Sequence, residues 1–339
     1  MTLSSKEDKI LKSIVIASEN NPNRPEFPAG KGKFPATPTY KIQVPGFSNI
    51  WLKDESFNFS GTHKDRMAWE IIVTYRDFLL AKKSSSFSND LPVMSIISSG
   101  SAAVAIQKQL KKYNLPNLRV LVDKNCDEDF LKSLKSINCE IFATDLASKS
   151  LSSKEILDLT NNVSGFDITS AEALDPRTRF YDWLGYEIIN SSPDYCFIPF
   201  GSGHLFENIL NINKKEISSQ NCDPRFRGDL KILRKCNFLG AATNNSKTKA
   251  VKLYSPHLPF SHCDEQWLRF FKYSGFCGQD SGIYSFEEKY LDMALEIAEK
   301  QKIKCEPSGI AGLALLLQMK KNIPKNKKIL IVNTGKTKI

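Results

Sequence analysis

From Val93 onward, short apolar runs alternate with longer stretches whose apolar positions recur every three or four residues. Runs such as Val93-Met94-Ser95-Ile96-Ile97 and Tyr195-Cys196-Phe197-Ile198-Pro199 are too short for helices and read as buried strands. The first block predicts strand 93–98, helix 102–113, strand 118–123, helix 127–136, strand 139–143 and helix 153–162. The second predicts helix 176–190, strand 194–199, helix 204–212, a strand near 237–241, helices 286–301 and 308–321, and strand 328–333. Strands alternating with helices imply parallel sheets covered by helices, an α/β fold. Residues 213–235 are polar and charged and interrupt this alternation. They read as a surface insertion, with a specificity loop carrying Arg225 and Arg227 as the rival reading. The first 30 residues hold one short amphipathic helix and are expected to wrap the outside.

Composition narrows the function classes without choosing a reaction. A chain of 339 residues can form two domains, each with its own core. The net charge of +10 is spread over pairs such as Lys82-Lys83, Lys111-Lys112 and Lys320-Lys321. No arginine stripe with interleaved aromatics emerges, so no nucleic-acid partner is expected. The positive balance favours an anionic substrate. There is no apolar run of the ~20 residues that span a bilayer, and no leader pattern at the start. The expectation is a cytoplasmic protein with no membrane partner. The eight cysteines contain no C-x-x-C pair and read as reduced thiols. His257, His262 and Cys263 lack a fourth ligand at zinc-like spacing, so no metal is expected.

Four polar loops carry the candidate chemistry. In Ser60-Gly61-Thr62-His63-Lys64-Asp65-Arg66, a lysine stands between a glycine turn and an apolar-periodic helix. That placement suits a lysine that holds a cofactor aldehyde. The plainer alternative is a helix start capped by Ser60 or Thr62, with Lys64 in solvent. The loop Gly201-Ser202-Gly203-His204 follows an apolar strand and opens a helix, an arrangement in which backbone N–H groups converge on an anion. Ser98-Ser99-Gly100-Ser101 and Asn333-Thr334-Gly335-Lys336 also follow apolar runs. In open α/β sheets, ligands bind at that end of the strands.

Taken in order, these segments resemble fold-type II pyridoxal phosphate enzymes, the tryptophan synthase β-like superfamily, and are most similar to threonine synthases. Thr37-Pro38-Thr39-Tyr40 is similar to that family's T-P-L-x segment. Lys53-Asp54-Glu55-Ser56-Phe57-Asn58 through Arg66 resembles its K-x-E-x-x-N-P-T-G-S-x-K-D-R block. Ser98 to Ala103 resembles S-S-G-N-x-A, and Glu306-Pro307-Ser308-Gly309-Ile310-Ala311-Gly312 resembles E-P-x-S-A-x-G. Asp175-Pro176-Arg177 through Tyr181-Asp182-Trp183-Leu184-Gly185-Tyr186-Glu187 resembles the helix before the phosphate strand.

The resemblance implies two open parallel-sheet α/β domains with pyridoxal 5'-phosphate in the cleft between them. The larger, discontinuous cofactor-binding domain would take residues 1–65 and 160–339, and a smaller mobile domain residues 66–159. Lys64 would form the internal aldimine and shuttle the substrate α-proton. Gly201, Ser202, Gly203 and His204 would bind the cofactor phosphate, and Thr334 the pyridine nitrogen. Ser98, Ser99 and Gly100 would receive the substrate carboxylate. Ser101 stands where most relatives carry an asparagine that touches the phenolic oxygen of the cofactor. His63 replaces a common phenylalanine; the tryptophan synthase β-chain has histidine there, near the cofactor phosphate. The terminal Thr334-Gly335-Lys336-Thr337-Lys338-Ile339 is shorter than the usual T-G-x-G-x-K-D.

The activity implied is a lyase of amino-acid metabolism that converts O-phosphohomoserine and water to threonine and phosphate. The alternatives are a serine/threonine ammonia-lyase, a cysteine synthase-like β-replacement enzyme, or a catalytically weakened cofactor-binding protein. The partner implied is a small amino acid, with a phosphorylated one included, and a homodimer is compatible with the family.

Overall fold

The structure, a computed structural model, describes residues 3–19, 34–84, 90–98, 100–126, 128–146, 151–169, 180–222, 235–254 and 263–338. The strands are β1 (Thr39–Ile42), β2 (Ile50–Asp54), β3 (Met94–Ile97), β4 (Arg119–Asp123) and β5 (Glu140–Thr144). They continue with β6 (Phe166–Asp167), β7 (Tyr195–Pro199), β8 (Asn237–Ala242), β9 (Gly282–Ser285) and β10 (Ile329–Asn333). The helices are α1 (Ser5–Glu19), α2 (Lys64–Ser84), α3 (Ser101–Lys112), α4 (Glu128–Ser136) and α5 (Ser153–Leu159). After them come α6 (Asp182–Asn190), α7 (His204–Cys222), α8 (Glu265–Tyr273), α9 (Glu288–Lys300) and α10 (Ala311–Gln318).

Two sheets result. The larger has the order β1-β2-β10-β7-β8-β9 and the smaller β5-β4-β3-β6. Among the described residues, every strand pairing is parallel except β1 with β2. Strand β10 lies between β2 and β7, and all five of its residues are buried. Its continuous apolar run follows from helices packing on both faces. Leu330 and Val332 join the core formed with α6 and α7, whereas Ile329 and Ile331 join the core under α9 and α10. The first of these cores continues through α2 and α3 into Ile96, Val120 and Val122 of the smaller sheet. Apolar packing therefore joins the two sheets along one side of the cleft.

Several boundaries depart from the sequence reading. Helix α7 does not stop near 212 but runs to Cys222, so residues 213–222 belong to a helix. Asn213, expected in a surface insertion, is buried, and its Nδ2 donates to the Phe276 carbonyl at 2.5 Å. The lysines and glutamate of this stretch are good helix formers, and the Lys214 ammonium lies over the rings of Phe270, Phe271 and Phe276. Residues 223–234, including Arg225 and Arg227, lie outside the described residues. Helix 176–190 is seen from Asp182 onward, with 170–179 outside them.

The periodicity of the chain does not predict strands β1, β2, β6 and β9 or helix α8. The four strands are short, from two to five residues. The smaller sheet takes in Phe166–Asp167 through its pairing with β3. We therefore propose that the division between the two units falls after residue 167 rather than at 159.

Candidate active site

The site begins with a loop that the sequence makes rigid. Gly61 has φ +83, and a Cβ there would stand 2.3 Å from the Lys336 carbonyl oxygen, so only glycine fits. Asp65 accepts from the Ser60 N–H at 2.7 Å and from its hydroxyl at 2.6 Å. The Lys64 N–H donates to the Thr62 hydroxyl at 3.2 Å, which starts α2 at the lysine. The segment after β10 closes the loop from outside: Lys336 N–H donates to the Gly61 carbonyl and Lys338 N–H to that of Ser60.

Behind the loop lies a buried ionic cluster. The Arg66 guanidinium grips Glu55 at 2.6 and 2.9 Å and Glu187 at 2.7 and 3.0 Å. Lys53 pairs with Glu187 and donates to the Thr37 carbonyl at 2.5 Å. Burial alone would raise the Glu55 carboxyl; the Arg66 charge and its hydrogen bonds outweigh this and hold it at about 2. Paired charges with full hydrogen bonding are how a protein retains such groups in its interior. The cluster ties β2, α2 and α6 together beneath the lysine.

Lys64 itself faces a cavity of about 460 Å³ between the sheets. Its Nζ donates to the Tyr181 hydroxyl at 2.7 Å. His63, which borders the same cavity, donates its backbone N–H to the Thr334 carbonyl at 3.1 Å, and its ring lies 5.3 Å from that of Tyr181. Burial, then the nearby Lys64 charge, pushes the His63 imidazole down to about 3, so it is neutral at physiological pH.

The sequence-predicted residues converge here. Lys64, His63, Ser98, Gly100, Ser101, Gly201, Ser202, Gly203, His204 and Thr334 all line the cavity. Ser99 lies outside the described residues. The Ser98 hydroxyl accepts from the N–H groups of Gly100 at 3.3 Å and Ala103 at 3.4 Å, which shapes the turn into α3. Gly203, at φ +84, turns β7 into α7. The first amides of a helix have no partner within it, so the α7 start presents donors and a positive dipole end to the cavity.

Four lining or bordering residues escaped the reading of single segments: Tyr181, Lys252, Glu306 and Thr337. The Lys252 Nζ donates to Glu306 at 2.6 Å, Thr337 at 2.9 Å and Ser101 at 3.2 Å. Glu306 and Tyr181 stand within segments matched by resemblance, whereas Lys252 sits near Lys247 and Lys249 with no local motif that sets it apart.

The residues fit pyridoxal phosphate. The Lys64 amine, an anion-receiving glycine turn at a helix start and the hydroxyl residue Thr334 open on one cavity of a size that takes a small cofactor. Among the described residues, no group of three or more His, Cys, Asp and Glu side chains could hold a metal ion, and no helix is long and apolar enough to cross a membrane. His257 and His262 lie outside those residues.

Comparison with known proteins agrees with this geometry. No curated protein matches the chain. Among solved structures, an O-ureido-L-serine synthase superposes with a TM-score of 0.63 at 14% identity, covering 89% of each chain. A hydrogen sulfide-producing enzyme from Fusobacterium nucleatum gives 0.60 at 18% identity, over 88% of this chain and 94% of that one. An O-acetylserine dependent cystathionine beta-synthase from Helicobacter pylori gives 0.59 at 14% identity, over 99% and 96%. At these identities the likeness establishes the two-sheet fold. The family described as pyridoxal-phosphate dependent enzyme matches residues 33–226, which hold both the lysine loop and the glycine turn. With more than half of its length matched and its lysine set in this cleft, the chain belongs to the pyridoxal-phosphate dependent enzymes and has their fold-type II, tryptophan synthase β-like architecture.

Proposed function

We propose that this enzyme is a lyase acting on a small amino acid with a leaving group on its side chain, with Lys64 as the catalytic residue. The threonine synthase-like form of that reading takes O-phosphohomoserine and water to threonine and phosphate. The observation that carries the reading is the Lys64 amine held by the Tyr181 hydroxyl at 2.7 Å within the cavity that the serine and glycine loops also line. When bound, the cofactor supplies an aldehyde for a lysine amine and an electron sink for the pair left by a departing α-proton.

The protein groups supply the rest. Gly201, Ser202, Gly203 and His204 at the start of α7 receive a phosphate. Thr334, which lines the cavity, would offer the ring nitrogen of a bound cofactor a neutral partner, which would favour elimination and replacement over transamination. Ser98 and Gly100 receive the substrate carboxylate, with Ser99 assigned there by sequence alone. Lys64 Nζ takes up and returns the α-proton, and Tyr181 fixes where that nitrogen lies. His63 stays neutral beside it and adds no competing charge.

A second reading, β-replacement on a substituted serine, is favoured by the structural neighbours, two of which are named for O-ureidoserine or O-acetylserine chemistry. Purified protein loaded with cofactor separates the two. Phosphate release from O-phosphohomoserine supports the first reading, and product formation from O-acetylserine with a thiol or sulfide supports the second. Ammonia and keto-acid release from serine or threonine would instead mark a deaminating lyase. Cofactor binding with no turnover on any of these substrates would mark a binding protein.

A further inference from the structure

Lys64 and Lys252 are the two lysines among the described residues that line the cavity, and no arginine among those residues joins them. Lys64 is assigned to the cofactor, which leaves the Lys252 ammonium for a ligand. Lys252 belongs to none of the segments that resemble the family. Its backbone packs against the glycine turn: a Cβ on Gly201 would stand 3.1 Å from its carbonyl oxygen, and its N–H donates to the Ser308 hydroxyl at 3.1 Å. Its stem then runs past Gly100, where a Cβ would stand 3.4 Å from its Cε. The ammonium therefore stands beside the loop assigned to the substrate carboxylate.

The three donors of this ammonium are unequally held. One goes to the Glu306 carboxylate at 2.6 Å, and the others go to the Thr337 hydroxyl at 2.9 Å and the Ser101 hydroxyl at 3.2 Å. Those two hydroxyls also bond to each other at 2.9 Å, so they stay partnered if the ammonium turns one donor away. A charged acceptor makes a hydrogen bond roughly twice as strong as a neutral one, so an arriving anion displaces the long Ser101 contact and leaves the Glu306 pair intact. The pair itself adds little to stability, because its side chains are 30% and 19% exposed. The other lining carboxylate, Asp123, turns its two oxygens to the N–H groups of Asn125 and Leu146 at 2.8 and 3.0 Å, and Glu306 is the one that holds Lys252.

We propose that Lys252 is a specificity-determining residue that receives an anionic group on the substrate side chain, with Glu306 fixing where its nitrogen lies. The substrate class that follows is an amino acid whose leaving group is itself charged, a phosphoryl ester rather than a neutral acyl ester or a free alcohol. Solvent reaches this end of the cavity, since Lys252 is partly exposed and the neighbouring lining residue Val251 is 64% exposed. A phosphoryl group can therefore meet the ammonium with one oxygen and keep the others hydrated, which limits both its desolvation cost and its repulsion by Glu306. The inference rests on the reading of the cavity as the site of a pyridoxal phosphate enzyme that acts on a substituted amino acid.

The test is an equilibrium titration of the holoenzyme with O-phospho-L-serine, O-phospho-L-homoserine and O-acetyl-L-serine, followed by the change in visible absorbance. It yields a Kd for each amino acid whether or not turnover follows. The wild type is expected to bind a phosphorylated amino acid at least about tenfold more tightly than the acetylated one, with the preference shrinking as sodium chloride is raised. In Lys252→Met the ratio of the two constants should fall by about 10- to 100-fold, the worth of one hydrogen bond between charged groups, and Lys252→Arg should retain a larger share of it. The ratio is the diagnostic quantity, because a role in holding the shared carboxylate or the fold would move both constants together. An unchanged ratio in Lys252→Met overturns the assignment, and so does a wild type without the preference, which needs no variant to fold. A wild type that develops no band with pyridoxal phosphate overturns the cofactor reading, and a band that responds to none of the three amino acids overturns the substrate reading; in either event this inference falls with it.

Discussion

The amine of Lys64 and the hydroxyl of Tyr181 meet at 2.7 Å although 117 positions separate them in the chain. The tyrosine is almost wholly buried, so its hydroxyl has little choice of partner, and it holds the lysine from the side of α6. Tyr181→Phe is expected to keep cofactor affinity and lower kcat by about 10- to 100-fold, the worth of one hydrogen bond to a charged group. Lys64→Ala is expected to abolish both the visible band of the bound cofactor and turnover. Absorbance after borohydride treatment and dialysis, together with steady-state rates, checks both variants. A Lys64→Ala protein that retained the band would reassign the lysine.

The turn into α7 tests the phosphate assignment. Gly203 has φ +84, so any side chain there costs about 1–2 kcal/mol in backbone strain. Gly203→Ala is expected to show that cost alone, as a lower midpoint in denaturant. Gly203→Asp adds a carboxylate facing a phosphate dianion, and its cofactor dissociation constant should rise well beyond that of the alanine variant. Equal cofactor affinity in the two variants would remove this turn from the site.

Arg66 is buried between two carboxylates, and its removal leaves Glu55 and Glu187 with too little positive charge. Arg66→Met is expected to destabilise the fold by about 3–5 kcal/mol. Replacing Glu55 by Gln in the same chain should recover part of the loss, because one of the uncompensated charges is gone. Equilibrium unfolding in denaturant measures both effects.

Stability should also depend on pH through His63. Its folded-state value, about 3, lies below the 6.5 of an ordinary imidazole. Between those two values the unfolded chain binds a proton that the fold refuses, so stability rises with pH across the interval. The contribution is fully present above pH 6.5 and falls, as pH drops, by at most about 1.4 kcal/mol per unit. Glu55, held at about 2, begins a separate loss only below its ordinary 4.5. His63→Phe is expected to flatten the stability profile between pH 6.5 and 4.5, as followed by thermal melting. An unchanged slope there would mean that the imidazole is protonated in the fold.

Where sequence reading succeeded, local chemistry was sufficient. A glycine turn, a strand-end hydroxyl and a lysine at a helix start are each encoded within a few residues, and all reach one cavity. Long-range pairing was less visible. Nothing around Lys252 separates it from its neighbours Lys247 and Lys249, because its role comes from Ser101, Glu306 and Thr337, each distant in sequence. Helix α8 carries a local signal in its cap: Asp264 accepts from the Trp267 N–H at 2.7 Å. Residues 213–222 are polar in sequence yet helical, because a buried asparagine and a run of good helix formers suffice to carry α7 onward.

The position of β10 has a consequence for how the protein is made. Among the described strands the one that separates β2 from β7 is made last, and Asn333 meets Asp54 across a separation of 279 positions. During synthesis, β1 and β2 therefore emerge before the strand that pairs with the other edge of β2, and in the finished sheet β2 and β7 are not neighbours. The smaller sheet draws all its strands from residues 94–167 and can assemble while the ribosome is still working. The larger sheet closes only when residues 329–333 arrive, and the same stretch of chain delivers Thr334 and the strap over Gly61. Completion of the larger sheet and completion of the catalytic cleft are thus one late event, so a nascent chain halted short of residue 329 would carry Lys64 without the surroundings that give it a function.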